Sequence, residues 1–357
     1  MSDDGFPESD RIGDAPHPRE TAQVFGQSAA EETFLTAATG GRLHHAWLLT
    51  GPRGIGKATL AWRAARFLLT QAPADAGLFG APEVPTSLDV SADHPVAARL
   101  AALSEPGLLL IRRAWDADKK RLKAQITVDD VRKLAGFFGL TASDGGRRVV
   151  IVDSVDDMNP SAANALLKAL EEPPKDAVFF LISHAPARLL PTIRSRCREL
   201  RLTPLAPDAL NAALDQAGAE VDRSQALGVL ASGSVGEAMR LMSHGGPGLY
   251  SDLLKVIATA PALDRSLARG FIDKATARGA EARLDLTVHL LDVALARLAR
   301  AGTGLALGAE AAEGEAQVLA RLAPTPAAAR DWASLAQTLG ARIGHGRAVN
   351  VDPASLL

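Results

Sequence analysis

One cysteine and one tyrosine occur among the 357 residues of this chain. The lone thiol, Cys197, excludes a disulfide framework and equally a zinc site built from four cysteines. Aromatic residues make up only 4% of the sequence, so its cores must be assembled mainly from alanine and leucine, a mixture that favours helices. Charge of neither sign prevails: Lys and Arg number 39, Asp and Glu 41, and the formal net charge is −2. No global basic field therefore draws nucleic acid, and binding of that kind would need a local patch. Long apolar runs are missing too; none approaches the ~18 residues of a membrane helix. The opening, MSDDGFPESDRIGDAPHPRE, is acidic and polar, unlike a secretory signal. The expectation is a soluble, cytoplasmic protein with no membrane partner.

What is present falls into blocks, and the length predicts two or three domains. Residues 1–20, rich in Asp, Pro, Gly and Ser, read as a flexible lead-in. From 21 to about 203, short apolar runs alternate with helical patterns. HAWLLT (His45–Thr50) reads as a buried strand and ATLAWRAARFLL (Ala58–Leu69) as the helix after it. RRVVIVD (Arg147–Asp153) follows the turn signal Asp144-Gly145-Gly146 and reads as a second strand. AVFFLIS (Ala177–Ser183) is a third, continuously apolar as parallel strands covered on both faces are. Strands separated by helices predict a parallel α/β sheet. Gln71 to about Ser104 is rich in Pro and Ala with weak periodicity, an insertion or long loop; DADKKRLKAQ (Asp116–Gln125) reads as a charged, exposed connection. ITVDDVRKLAGFFGL (Ile126–Leu140) predicts an amphipathic helix capped by Thr127, with Asp130 three residues on as a capping-box variant. After Pro204 no strand candidates remain. Residues 204–244 read as compact helices and 245–357 as long Ala/Leu/Arg helices, such as Ala282–Ala301.

The centre of HAWLLTGPRGIGKATLA nearly spells a phosphate-binding loop. G-x-x-x-x-G-K-[ST] is met by Gly51, Gly56 and Lys57, with Gly54 between, and then broken by Ala58, where the pattern places a magnesium-binding hydroxyl. Backbone N–H groups along such a loop converge on phosphate oxygens at the positive end of the next helix, and Lys57 would add a point charge. A glycine-rich strand-to-helix turn with a solvated lysine is the plainer alternative. Thr59 is one residue beyond the required hydroxyl and points off in a different direction on a helix. Asp153 ends a strand at the carboxyl edge of the sheet beside the loop, where a carboxylate can hold Mg²⁺ through water. The next residue, where hydrolysing enzymes of this type carry a glutamate, is Ser154, a poor base. Asp156 and Asp157 read as the start of the following helix. NPSAANALLKALEEPP (Asn159–Pro174) predicts a helix with Leu166, Leu167 and Leu170 inward, stopped by two prolines.

ANALLKALEEPP, followed by a strand and then IRSRC (Ile193–Cys197), resembles the clamp-loader branch of the AAA+ ATPases. TVDDVRKL upstream and FGQSAAEETF near the start fit the same family, and the resemblance runs over roughly residues 20–245. It implies a P-loop AAA+ α/β domain over 21–203, with a parallel sheet and flanking helices. A small helical lid over 204–244 and an all-α collar domain over 245–357 would follow. In that family the triplet Ser195, Arg196, Cys197 projects its arginine into the nucleotide site of a neighbouring subunit, where it stabilises charge during phosphoryl transfer. A surface arginine in a salt bridge is the alternative. Ser183 falls at the position of a polar sensor.

The same resemblance exposes three gaps: Ala58, Ser154, and Gly236 of GSVGEAMRL (Gly233–Leu241), where active subunits carry an arginine. A degenerate cradle of Gly51, Gly54, Gly56, Lys57, Thr59, Asp153 and Ser183 is therefore expected, holding ATP or ADP at most without hydrolysis. No zinc is expected, since the family's four-cysteine module cannot form and residues 71–104 must fold without metal. Partners so implied are the ATPase subunits and delta of a hetero-oligomeric ring, the sliding clamp through that complex, and primed DNA contacted without sequence reading. An ATP-hydrolysing motor subunit and a P-loop phosphotransferase stand as alternatives. The first needs a hydroxyl at 58 and a carboxylate at 154; the second gives no reason for the Glu-Glu-Pro-Pro string or the Ser-Arg-Cys triplet.

Overall fold

The computed structural model describes residues 7–13, 15–71, 84–139, 146–219, 225–277, 281–305, 307–349 and 351–356. The chain divides into two compact units, Met1–Ala219 and Glu220–Leu357. In the first, β1 (Ala46–Thr50), β2 (Leu108–Arg112), β3 (Trp115–Asp116), β4 (Arg121–Leu122), β5 (Arg148–Asp153), β6 (Ala177–Ser183) and β7 (Arg198–Arg201) alternate with helices. Five of these strands form one parallel sheet in the order β2-β5-β6-β1-β7; β3 and β4 pair as a separate antiparallel ribbon. Every residue of β1 and β6 is buried, as continuous apolar strands in the middle of a doubly covered sheet must be.

The helices of this unit are α1 (Ser28–Thr39), α2 (Lys57–Thr70), α3 (Pro95–Ala101), α4 (Val128–Gly139), α5 (Pro160–Glu171), α6 (Pro191–Arg194) and α7 (Pro207–Gln216). Local chemistry sets their ends. The Asp130 carboxylate accepts from the Thr127 N–H at 3.0 Å and its hydroxyl at 2.8 Å, opening α4. Asn159 Oδ1 accepts from the Ala162 N–H at 2.8 Å, Pro160 takes the first turn of α5, and the helix ends at Glu171, just short of Pro173. On the face of the sheet toward α4 and α5, Leu48, Val150, Val152, Phe179 and Leu181 pack with Val131, Leu134, Leu166 and Leu170. Burying each such leucine contributes about 2 kcal/mol, so α5 is held mainly by its apolar stripe. Leu167 is only half-buried.

Several expectations need correction. Residues 7–13 and 15–20 are packed against the body, where a flexible lead-in was expected: His17 is fully buried and the Asp10 side chain is 1% exposed. Asp116–Gln125 is not a plain exposed connection, because Trp115 faces Leu122 and Asp116 faces Arg121 across the β3–β4 ribbon. Within Gln71–Ser104 lies α3, whose start is capped by His94 Nδ1 accepting from the Val96 N–H; residues 72–83 lie outside the described ones, as do Leu140, Asp144 and Gly145. Two edge strands were not expected: β7 (RELR) carries no interior signature and buries only Leu200, while β2 (LLLIR) is apolar in sequence yet buries only Ile111. The division at Ala219 also leaves α7 with the α/β body, where sequence placed it in a lid.

The second unit is helical: α8 (Gln225–Ala231), α9 (Val235–Ser243), α10 (Gly246–Ile257), α11 (Arg265–Ala275), α12 (Glu281–Ala301), α13 (Glu315–Leu322) and α14 (Pro326–Ala348). Its buried Glu315 accepts from the Tyr250 hydroxyl at 2.6 Å, from Arg297 Nε at 2.6 Å and Nη2 at 2.9 Å, and from the Ala311 N–H at 2.6 Å, tying α10, α12 and α13. No helix among the described residues is long and apolar enough to cross a membrane.

Candidate functional site

The loop between β1 and α2 turns on glycines. Gly51 has φ +137°, Gly54 +72° and Gly56 +97°, all in the region that side-chain-bearing residues avoid. A Cβ on Gly51 would stand 2.6 Å from the Leu202 carbonyl oxygen and 2.8 Å from Ile55 Cδ1. Gly56 is the left-handed N-cap of α2, so the first free N–H groups of that helix open toward the loop. Lys57 is 3% exposed, and its ammonium donates to the Gly51 carbonyl at 2.6 Å and to the Pro52 carbonyl. Burial pushes its pKa down to about 8, against the opposing pull of Asp153 and Asp156. The charge that would face a phosphate is thus engaged by the loop's own carbonyls. Ala58 and Thr59 follow on α2, both half-buried.

The neighbouring strand ends complete the cradle. Asp153 ends β5; burial, helped by the negative charge of Asp10 and opposed by Lys57, raises its pKa to about 7. Ser154 is 3% exposed, and its hydroxyl has no hydrogen-bond partner. Asp156 lies in a single 3₁₀ turn, Val155–Asp157, and does not start α5. Its Oδ1 accepts from the Ser183 hydroxyl at 2.9 Å and the Ala185 N–H at 3.3 Å, and its Oδ2 from the His184 N–H at 2.5 Å. Asp156 therefore ties off β6, and the Ser183 hydroxyl is turned onto it. Burial, with Lys57 and Arg53, depresses the His184 pKa to about 3, so its ring is neutral. Asp157 pairs with Arg113 at 3.3 Å. Among the described residues no group of three or more His, Cys, Asp and Glu is placed to hold a metal ion.

The arginine triplet stands elsewhere. β7 runs parallel to β1 with Arg198 opposite Trp47 and Arg201 opposite Thr50. Gly51 leaves the carboxyl end of β1, whereas Arg196 precedes the amino end of β7. Trp47 is four residues from Gly51, about 13 Å of strand, so the two groups occupy opposite edges of the sheet. Arg196 is half-exposed; Nη2 pairs with Glu171 Oε1 at 2.9 Å and Nη1 donates to the Thr192 carbonyl at 3.0 Å. The Ser195 hydroxyl donates to the same carbonyl at 3.1 Å. Cys197 points the other way, onto the apolar cluster under α5, where burial pushes its thiol up to about 12. The structure thus brings Gly51, Gly54, Gly56, Lys57, Asp153 and Ser183 to one edge and leaves Ser195 and Arg196 at the other. Gly236 lies on α9 of the second unit.

Sequence reasoning missed a group at the cradle's outer strand. Arg112, at the carboxyl end of β2, has its Cα in register with Asp153. Its Nη1 donates to Asp10 Oδ1 at 2.5 Å and to Glu8 Oε1 at 3.0 Å.

Residues 26–206 match the family model described as DNA polymerase III, delta subunit. The chain is similar to the DNA polymerase III subunit delta′ of Pseudomonas aeruginosa, 44% identical over 165 residues, which cover 46% of this chain and 45% of that protein. It is similar also to the subunit delta′ of Escherichia coli K12, 35% identical over 214 residues, covering 59% and 58% respectively. The chain spans about half the length of the curated relatives it matches. Among solved structures, a DNA polymerase III gamma subunit-related protein of Thermotoga maritima overlays with a TM-score of 0.38 at 18% identity, covering 85% of this chain and 99% of that one.

Proposed function

The chain belongs to the DNA polymerase III, delta subunit family, and on that premise we propose that it is a clamp-loader subunit that does not hydrolyse ATP and supplies Arg196 to a neighbouring ATPase subunit. The observation that carries this reading is the division of labour between the two edges of the sheet. At the carboxyl edge the left-handed Gly51, Gly54 and Gly56 support a backbone nest for the phosphates of ATP or ADP. The magnesium and catalytic groups do not fit as well: Ala58 offers no hydroxyl, Asp153 is half-neutral near pH 7, and Ser154 cannot serve as a base. Asp156 is no substitute, since both of its oxygens are occupied by the end of β6. At the amino edge stands an arginine too far from its own loop to act there, half-exposed and oriented by Glu171 and Thr192. A guanidinium so placed serves a phosphoryl group carried by another molecule.

In this reading the partners are the ATPase subunits and delta of a hetero-oligomeric ring, the sliding clamp reached through that ring, and primed DNA held without sequence preference. The helical second unit supplies the lid and collar. The test is reconstitution. The chain alone shows no ATP turnover above background, and Arg196→Ala in the assembled loader removes the hydrolysis contributed by the neighbouring site while the complex still elutes intact. Turnover by the isolated chain that Lys57→Ala abolishes would establish the motor-subunit reading instead. Loss of hydrolysis only because the assembly dissociates would remove the role in trans.

A further inference from the structure

The amino-terminal segment is bound to the strand and the helix that border the degenerate cradle. Glu8 Oε1 accepts from Arg19 at 2.6 Å and Arg112 at 3.0 Å, and its Oε2 from Arg11 at 2.9 Å. Asp10 Oδ1 meets Arg112 at 2.5 Å, and Oδ2 meets His17 Nε2 at 3.1 Å, with the Asp10 and His17 side chains 1% and 0% exposed. The Arg19 N–H donates to His17 Nδ1 at 3.1 Å. The segment then lies along α2, the helix that the glycine loop opens. The His17 ring meets Trp62 edge-on at 5.9 Å, Arg66 donates to the Arg19 carbonyl at 2.7 Å, and Arg63 to the Ala22 carbonyl at 2.8 Å. The anchor, Arg112, sits in register with Asp153 on the adjacent strand, about 5 Å away.

We propose that residues 8–13 and 15–17 form an intramolecular strap that closes the metal side of the nucleotide cradle, with Asp10 and Glu8 occupying Arg112, the cation in register with Asp153. A buried carboxylate one strand from Asp153 repels both that aspartate and a polyphosphate, and two carboxylates on Arg112 cancel its attraction. The raised proton affinity of Asp153, to which Asp10 contributes, accords with this placement. Nucleotide entry on the magnesium side then requires the strap to lift. The strap deepens the reading of residues 51–57 as a non-hydrolysing cradle and rests on it.

The experiment measures binding of a fluorescent ATP analogue with Mg²⁺ to the full chain, by anisotropy. Asp10→Asn, which keeps shape and removes the charge, should bind at least tenfold more tightly, whereas Asp10→Glu should stay as weak as the parent. Unchanged affinity in an Asp10→Asn chain that still melts cooperatively overturns the strap. Should that variant lose cooperative melting, hydrogen exchange on the unmodified chain decides. Nucleotide at the highest soluble concentration should deprotect the amides of residues 8–13, and protection identical with and without nucleotide overturns it. Turnover of ATP by Asp10→Asn would defeat the non-hydrolysing reading while leaving the strap standing.

Discussion

Replacing Asp156 by alanine tests the framework of the cradle without touching its phosphate-binding groups. The side chain receives three hydrogen bonds from consecutive residues: the Ser183 hydroxyl and the His184 and Ala185 N–H groups. A hydrogen bond to a charged acceptor nets ~1.5–3 kcal/mol when buried; Asp156, His184 and Ala185 are half-buried, so water can reach the two freed N–H groups, whereas the fully buried Ser183 hydroxyl is left unpaired. Taking about 1 kcal/mol for each bond gives a loss near 3 kcal/mol for Asp156→Ala. Asp156→Asn retains one acceptor oxygen and should keep about half of that. The assay is urea unfolding followed by the fluorescence of Trp47, Trp62 and Trp115, all in the first unit and the first two fully buried, in a Trp332→Phe background that silences the second. A midpoint for the alanine variant within about 0.5 kcal/mol of the parent would refute the assignment of Asp156 as the tie for β6.

Asp153→Asn should change the pH dependence of stability. The folded-state pKa of Asp153 is raised from 3.8 to about 7, so its contribution is full below the unfolded value and is lost as pH rises through about 7. Asparagine has no such loss; relative to the parent it should gain roughly 3 kcal/mol between pH 4.5 and 8, and parallel stability curves would show the aspartate to be solvated. Gly51→Ala places a methyl against the Leu202 carbonyl at a backbone angle alanine resists, for a loss of about 2–4 kcal/mol in thermal unfolding. Gly136→Ala, in mid-helix with open space around it, should instead gain up to ~1 kcal/mol.

The parts of this fold that could be read from residues alone are those whose signal is local. β1, β5 and β6 announce themselves because a strand covered on both faces needs unbroken apolar character. The glycine loop is legible because strand, turn and helix are contiguous, and α5 because Asn159, Pro160 and Pro173 mark its ends within a few residues. β7 escapes because an edge strand need bury little; only Leu200 is buried in RELR. The β3–β4 ribbon hides in a run of charges whose two large apolar residues, Trp115 and Leu122, face each other only once the ribbon has paired. The role of Asp156 depends on partners 27 to 29 residues away and that of Asp10 on one 102 residues away. No periodicity encodes such pairings; only the closed sheet brings them together. A polar, proline-rich start reads as disordered by composition, yet Glu8 and Asp10 find Arg112 waiting on the body, and His17 packs on Trp62.

The register of β7 against β1 gives the subunit a direction. On the reading proposed above, one edge receives through the glycine loop and the other gives a guanidinium, with about 13 Å of strand between Trp47 and Gly51. On that reading, units built this way would join front to back, each lending to the next, as heterologous contacts that repeat form chains or rings. On the reading proposed above, this member lends without borrowing. A series that contains it has one fewer working site than it has interfaces, and the firing of the remaining sites acquires an end.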